Sequence, residues 1–143
     1  MSSNPKKSPP IQPDVDYVNN FISNGRFPVY KYTNLRKITD TNAMTVEKIP
    51  MFVNGNVVWT HFRVTVKPTW RTDPYSVDID IRLTILEGQA WLLLDYKKTP
   101  AGAMVEAGDI IIIPANASYT ILNLSRNENC IYTIDANSLL EME

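Results

Sequence analysis

One cysteine, one histidine and five glycines are all that this chain of 143 residues holds of those types. A single thiol, Cys130, cannot close an intrachain disulfide, so an intracellular setting is expected and stability must come from packing. Its place in the alternating run Cys130-Ile131-Tyr132-Thr133-Ile134 marks it as a packed core thiol. A single imidazole, His61, excludes a metal site built from several histidines and a carboxylate. No apolar stretch reaches the ~18 residues of a membrane span, and the polar N-terminus does not read as a signal peptide. Charge of one sign is lacking too, with fourteen Lys and Arg against fifteen Asp and Glu. That balance argues against direct nucleic-acid binding through this segment. No Gly-X-Ser-X-Gly elbow or phosphate-cradling glycine loop occurs, and Ser118 has no histidine near it in sequence. Asp78 and Asp80 share one face of a strand, which suits a solvated or partner-facing surface better than paired acid–base work. The expectation is no catalytic residue, no metal and no cofactor.

What is present is strand pattern. Residues 1–13 are polar and Pro-rich, a tail or the end of a linker from a longer protein. Residues 14–52 are expected to form an N-terminal arm that packs on a barrel. Within it Asp14 to Ile22 reads as a short helix with Tyr17, Val18, Phe21 and Ile22 on one face. Short strands follow at Val29 to Tyr32, Met44 to Lys48 and Pro50 to Val53, and Asn54-Gly55 is a hairpin signal. His61 to Lys67 alternates with Phe62, Val64 and Val66 on one face, and Ser76 to Leu86 with Val77, Ile79, Ile81, Leu83 and Ile85 inward. Gln89 to Tyr96, Ile110 to Ile113, Ser118 to Leu124 and Asn129 to Ile134 complete the set, and Ala136 to Glu143 reads as a short terminal helix. Period-two runs with turn signals roughly every 8–12 residues argue for an all-β sandwich or barrel. The fold class is therefore an antiparallel jelly-roll barrel over residues 53–143, with short N- and C-terminal helices.

The organising stretch runs from Glu106 to Asn123. Four isoleucines, Ile110 to Ile113, lie between Gly108-Asp109 and Pro114, and read as a strand buried on both faces. The spacing resembles the second motif of the cupin superfamily: Gly108, Pro114 and Asn123 fall in place, Asn116 stands at the second glycine, and Tyr119 stands at the histidine. Asn tolerates the left-handed backbone of such a turn. The first cupin motif, anchored on Gly88, puts Ile81 at its glutamate, and Pro74 with Ser76, or Tyr75 with Val77, at its histidines. Since those positions are the metal ligands of cupin enzymes, the resemblance implies a cupin without its metal. A closer likeness covers Pro114 to Glu128, which resembles the C-terminal cupin of the centromere protein C family. There Tyr119, Ile121, Asn123, Leu124, Asn127 and Glu128 match, with one extra residue before Asn127. This resemblance implies a non-enzymatic homodimerisation and protein-interaction module of an inner-kinetochore scaffold. It further implies a nuclear, centromeric location, a role in centromeric chromatin assembly, and a loading or assembly factor as second partner.

A dimerising barrel needs an apolar outer face. Trp91 to Leu94 is apolar on both faces, Trp91 and Leu93 on one, Leu92 and Leu94 on the other, so one of them needs cover. The expected interface comprises Trp59, Phe62, Leu92, Leu94, Leu139, Leu140 and Met142. The N-terminal arm is the alternative cover. A second reading of function is a metal-free cupin that binds or isomerises a sugar or nucleotide, which would require an open mouth lined by His61, Arg63 or Asp80.

Overall fold

Alternation of apolar and polar residues produces nine strands in the computed structural model, which describes residues 35–53 and 55–140. They are β1 (Arg36–Asp40), β2 (Met44–Val53), β3 (Asn56–Val66), β4 (Ile81–Glu87), β5 (Gln89–Tyr96), β6 (Thr99–Glu106), β7 (Ile110–Ile113), β8 (Ser118–Leu122) and β9 (Cys130–Ala136). A six-stranded sheet in the order β1-β2-β3-β9-β4-β7 faces a three-stranded sheet, β6-β5-β8, and the pairings are antiparallel. This is the expected all-β jelly roll.

The core lies between the two sheets. Phe62 on β3 stands opposite Ile134 on β9, which stands opposite Leu83 on β4. Val64, Tyr132 and Ile85 form the next row inward. The smaller sheet closes on them with Ala90, Leu92, Val105, Tyr119 and Ile121, all buried. Each large side chain so buried contributes about 1.5–3 kcal/mol. Lys48 is the charged member of the buried set among the described residues, opposite Phe62, with its Nζ 5.7 Å from the ring centroid.

Turns follow local chemistry. Gly55 (φ 80°) closes the β2–β3 hairpin, in which Val53 pairs with Asn56. Lys97 and Lys98 (φ 52° and 62°) make a two-residue turn between Tyr96 and Thr99, a left-handed pair that the sequence does not advertise.

Several expectations change. Met44 to Val53 is one strand, with an irregularity between Met51 and Phe52 rather than a break. The strand expected from Ser76 starts only at Ile81, although Val77 and Ile79 still pack on the core. Upstream, Arg71 and Tyr75 make isolated bridges to Leu122 and Tyr119, so this segment spends its hydrogen bonds on β8. The isoleucine strand is not buried on both faces. Ile110 and Ile112, paired with Thr84 and Arg82 on the outer face of the sheet, are exposed at 63% and 61%.

The terminal helix is absent among the described residues: β9 runs to Ala136, and residues 137–140 are irregular. Thr60 explains this, because its hydroxyl donates to the Ser138 carbonyl and accepts from the Leu140 N–H. Those bonds hold the tail across the barrel end and press Leu140 into the core. The helix and strand expected at 14–22 and 29–32 lie outside the described residues.

Candidate functional site

The end of the barrel where Tyr119 stands, its mouth, is filled by tyrosines. Tyr119 comes from β8, Tyr132 from β9, and Tyr75 from the bridging segment, whose backbone exchanges two 3.0 Å hydrogen bonds with that of Tyr119. The Tyr75 and Tyr119 rings meet edge to face, centroids 5.9 Å apart at 89°. Beside them a cavity of about 60 Å³ remains, lined also by Met44, Val64, Thr72, Asp73 and Pro74. Pockets that hold small organic ligands run to ~300–1,000 Å³. Ile81, at the place of the cupin glutamate, is buried and apolar.

Burial decides the electrostatics. It pushes the Tyr119 phenol well above its ordinary value, helped by Tyr132 and Tyr75. Burial does the same to Tyr132, and lifts Tyr75 to about 12. All three therefore remain neutral hydroxyls near pH 7, unsuited to acting as general bases. No group of three or more His, Cys, Asp or Glu side chains among the described residues could hold a metal ion. The residues present do not fit a cupin metal.

The Tyr119 hydroxyl is buried and meets no hydrogen-bond acceptor or donor among the described residues. An unsatisfied buried hydroxyl costs about 1–3 kcal/mol. Tyr119→Phe is therefore expected to be neutral or to stabilise by up to about 1 kcal/mol in urea unfolding. A loss of more than about 1 kcal/mol would instead reveal a water bound in the small cavity.

The remaining motif residues shape backbone. Asn116 stands in the left-handed region (φ 70°) and donates its N–H to the Val77 carbonyl at 2.7 Å. Pro114 accepts from Ala117, and Gly108 (φ 98°) donates to Ile85. Asn123, buried, donates through its amide to the carbonyls of Val66 (2.9 Å) and Glu128 (2.8 Å) and accepts from the Ser125 N–H. Ser125 Oγ then accepts from Asn127 and Glu128. The stretch from Asn123 to Glu128 is thus one hydrogen-bonded turn clasped to the end of β3.

His61 lies away from the mouth. On the outer face of the larger sheet its Nδ1 sits 2.7 Å from Asp135 Oδ1, and Arg82 Nη2 sits 3.5 Å from Asp135 Oδ2. Arg63 pairs with Glu47 on the same face, and Asp80 accepts from the Ala115 N–H. None of the three lines an open mouth. Burial tends to raise the Asp135 carboxyl, but the His61 hydrogen bond and the charges of His61 and Arg82 together bring it below its ordinary 3.8. A depressed carboxylate contributes stability above its unfolded pKa and loses it as pH falls through the folded one. Native and Asp135→Asn proteins should thus differ fully above pH 3.8 in urea midpoint and converge under more acidic conditions.

The expected interface residues separate. Phe62, Leu92 and Leu140 are core residues and are removed from the interface, because register turns them inward. Leu94 is half-buried against the same core, Leu139 is half-buried, Trp59 is exposed, and Met142 lies outside the described residues. The outer face of the small sheet belongs instead to Trp91, Leu93, Met104 and Leu122. The Trp91 indole lies over Gly102, where a Cβ would stand 3.0 Å from the ring. The missed signal was polar: Gln89 and Asp95 share the parity of Trp91 and Leu93, which identifies that face as outward. Beside Met104 an open groove of about 590 Å³ runs past Gly88, Leu124 and Ser125, flanked by Glu106 and Glu128.

No protein-family model matches the sequence, and no curated protein matches it. Solved structures do match the fold. Hazelnut (Corylus avellana) vicilin aligns at TM-score 0.68 and 19% identity over 76% of this chain and 32% of its own. An oxalate decarboxylase from Lactobacillus farciminis, solved as a formate complex, aligns at TM-score 0.70 and 16% identity over 80% of this chain and 34% of its own. A Bacillus subtilis oxalate decarboxylase mutant aligns at TM-score 0.69 and 13% identity over 81% and 31%. The chain thus spans about a third of the length of these proteins. At such identities the likeness shows the fold alone, and the fold is a cupin. Enzymes and vicilins share it, so function must be argued from the site.

Proposed function

We propose that this cupin is a non-enzymatic homodimerisation and protein-interaction module of an inner-kinetochore scaffold, acting at the centromere in the nucleus and helping centromeric chromatin assembly. The observation that carries the reading is the filled mouth, where Tyr75, Tyr119 and Tyr132 leave about 60 Å³ in place of a metal and its substrate. The resemblance of Pro114 to Glu128 to the centromere protein C family supports it. The clasp made by Asn123 gives a physical reason for that stretch's composition, since only a side-chain amide can both donate to two carbonyls and accept from an N–H there. A dimer gives a long scaffold two arms, so weak contacts made elsewhere gain by effective concentration.

The second partner, a chromatin loading or assembly factor, is assigned to the groove beside Met104. Its apolar contacts, Met104 and Leu124, lie between Glu106 and Glu128, so the segment that fits carries a Lys or Arg next to an apolar residue. The test is the mass of the protein in solution by light scattering, alone and with candidate assembly factors. A dimer that retains such a factor, and loses it when Glu106 and Glu128 are both changed to Lys, is the expected result. A monomer that binds none of them would overturn the proposal.

A further inference from the structure

Resting on the dimerisation reading, we propose that two copies of this chain join along β7, each Ile110–Ile113 strand pairing antiparallel with its two-fold mate. An open sheet edge presents unpaired N–H and C=O groups and is an aggregation hazard, so proteins usually blunt it with charge, proline or cover. Among the described residues the two sheets have four edges, and three are blunted. β1 carries Arg36, Lys37 and Asp40 and is irregular between Lys37 and Thr39. The far side of β8 is bridged by Arg71 and Tyr75. β6 carries Pro100, which has no N–H, and its Glu106 N–H is taken by Asp109 Oδ2 at 2.8 Å. β7 has no charge, no proline and no bridging segment among the described residues: it is four isoleucines, with Ile110 and Ile112 the aliphatic side chains left most open beside Leu124.

The backbone is equally ready. Ile85 N–H donates to Asp109 C=O, so along the β4–β7 register the bonded pairs are those of Ile111 and Ile113. The N–H and C=O groups of Ile110 and Ile112 therefore point to the open side, with both side chains on the outer face. No strand among the described residues lies beyond them.

A second copy is the occupant because the edge is self-complementary in one register. A two-fold axis at Ile111 sets Ile110 opposite Ile112 of the mate, and the reverse, so that four isoleucines stack and each open N–H meets an open C=O. Moving the axis to Ile112 sets Ile110 against Pro114, which cannot donate. Moving it to Ile110 sets Ile112 against Gly108, whose N–H is already bonded to Ile85. The result is one sheet of twelve strands across the dimer, six from each copy.

Amide hydrogen exchange on the full chain at rising protein concentration tests this. The Ile110 and Ile112 amides should slow by at least about tenfold as the dimer forms, while those of Ile111 and Ile113, bonded to β4, stay protected throughout. Ile112→Lys, at an exposed position, should keep the circular dichroism of the fold and weaken association by at least about tenfold. Ile112→Val should leave it intact. A native protein that is a dimer, with fast Ile110 and Ile112 amides and no response to Ile112→Lys, overturns the β7 seam and leaves dimerisation standing. A native protein that is monomeric at every concentration overturns both.

Discussion

Leu92→Glu is expected to unfold the barrel, whereas Leu93→Glu, one position along, should leave it folded. Leu92 is 6% exposed, set between Ala103 of β6 and Ile121 of β8 in the central core. Removing a buried leucine side chain costs about 2–5 kcal/mol. Placing a carboxylate there adds several kcal/mol more, whether it stays charged or takes up a proton. Domains of this size hold about 5–15 kcal/mol in total, so most or all of the stability is lost. Leu93 is 40% exposed on the outer face, opposite Gly102 and Thr120, where a charge costs at most about 1 kcal/mol. Thermal melts followed by circular dichroism separate the two. A Leu92→Glu protein with a native-like cooperative transition would mean that the inward face of β5 has been assigned wrongly. The same contrast shows why a charge at Leu92, attractive from sequence as a dimer-breaking probe, would report on folding instead.

Gly88→Ala should lose about 2–5 kcal/mol, while Gly55→Ala and Gly108→Ala should each lose about 1–2. All three glycines have φ between 80° and 98°, so each alanine meets the same backbone penalty. Only at Gly88 is there also an obstacle. A Cβ there would stand 2.4 Å from the Asn129 carbonyl oxygen and 3.2 Å from Cys130 Cα. Those atoms belong to the entry into β9, a central strand bonded to β3 and β4, and main chain cannot swing aside as a flexible side chain can. At Gly55 and Gly108 nothing lies within 4 Å of the added carbon. Urea midpoints of the three variants give the comparison. Equal losses would show that the close approach of β9 to the β4–β5 turn is not a constraint on packing.

Much of the barrel was legible because period-two alternation is a local property. β3 declares its faces through Phe62, Val64 and Val66 against His61, Arg63 and Thr65, and the structure keeps that order. The misfit to a metal site was legible too, since a chain with one histidine and Tyr119 at a ligand position cannot assemble the usual donors. Alternation falls silent where both faces are apolar. In Trp91 to Leu94 and in Ile110 to Ile113 every residue qualifies for the core, so the choice of face rests on neighbours distant in sequence. Leu92 turns inward with its partners Ile121 and Ala103, and Ile112 turns outward with its partner Arg82, on the uncovered face of β4. The tail up to Leu140 was decided by one residue across the fold, Thr60, whose bonds to Ser138 and Leu140 compete with helical hydrogen bonds over residues 136–140. By itself, then, the sequence determined the strand class, most of the strands and the misfit to a metal, though not β1, β6 or the Lys97-Lys98 turn that joins β6 to β5. Which apolar faces became core and which were left open was decided only when two sheets met, because burial is a property of the neighbour as much as of the residue.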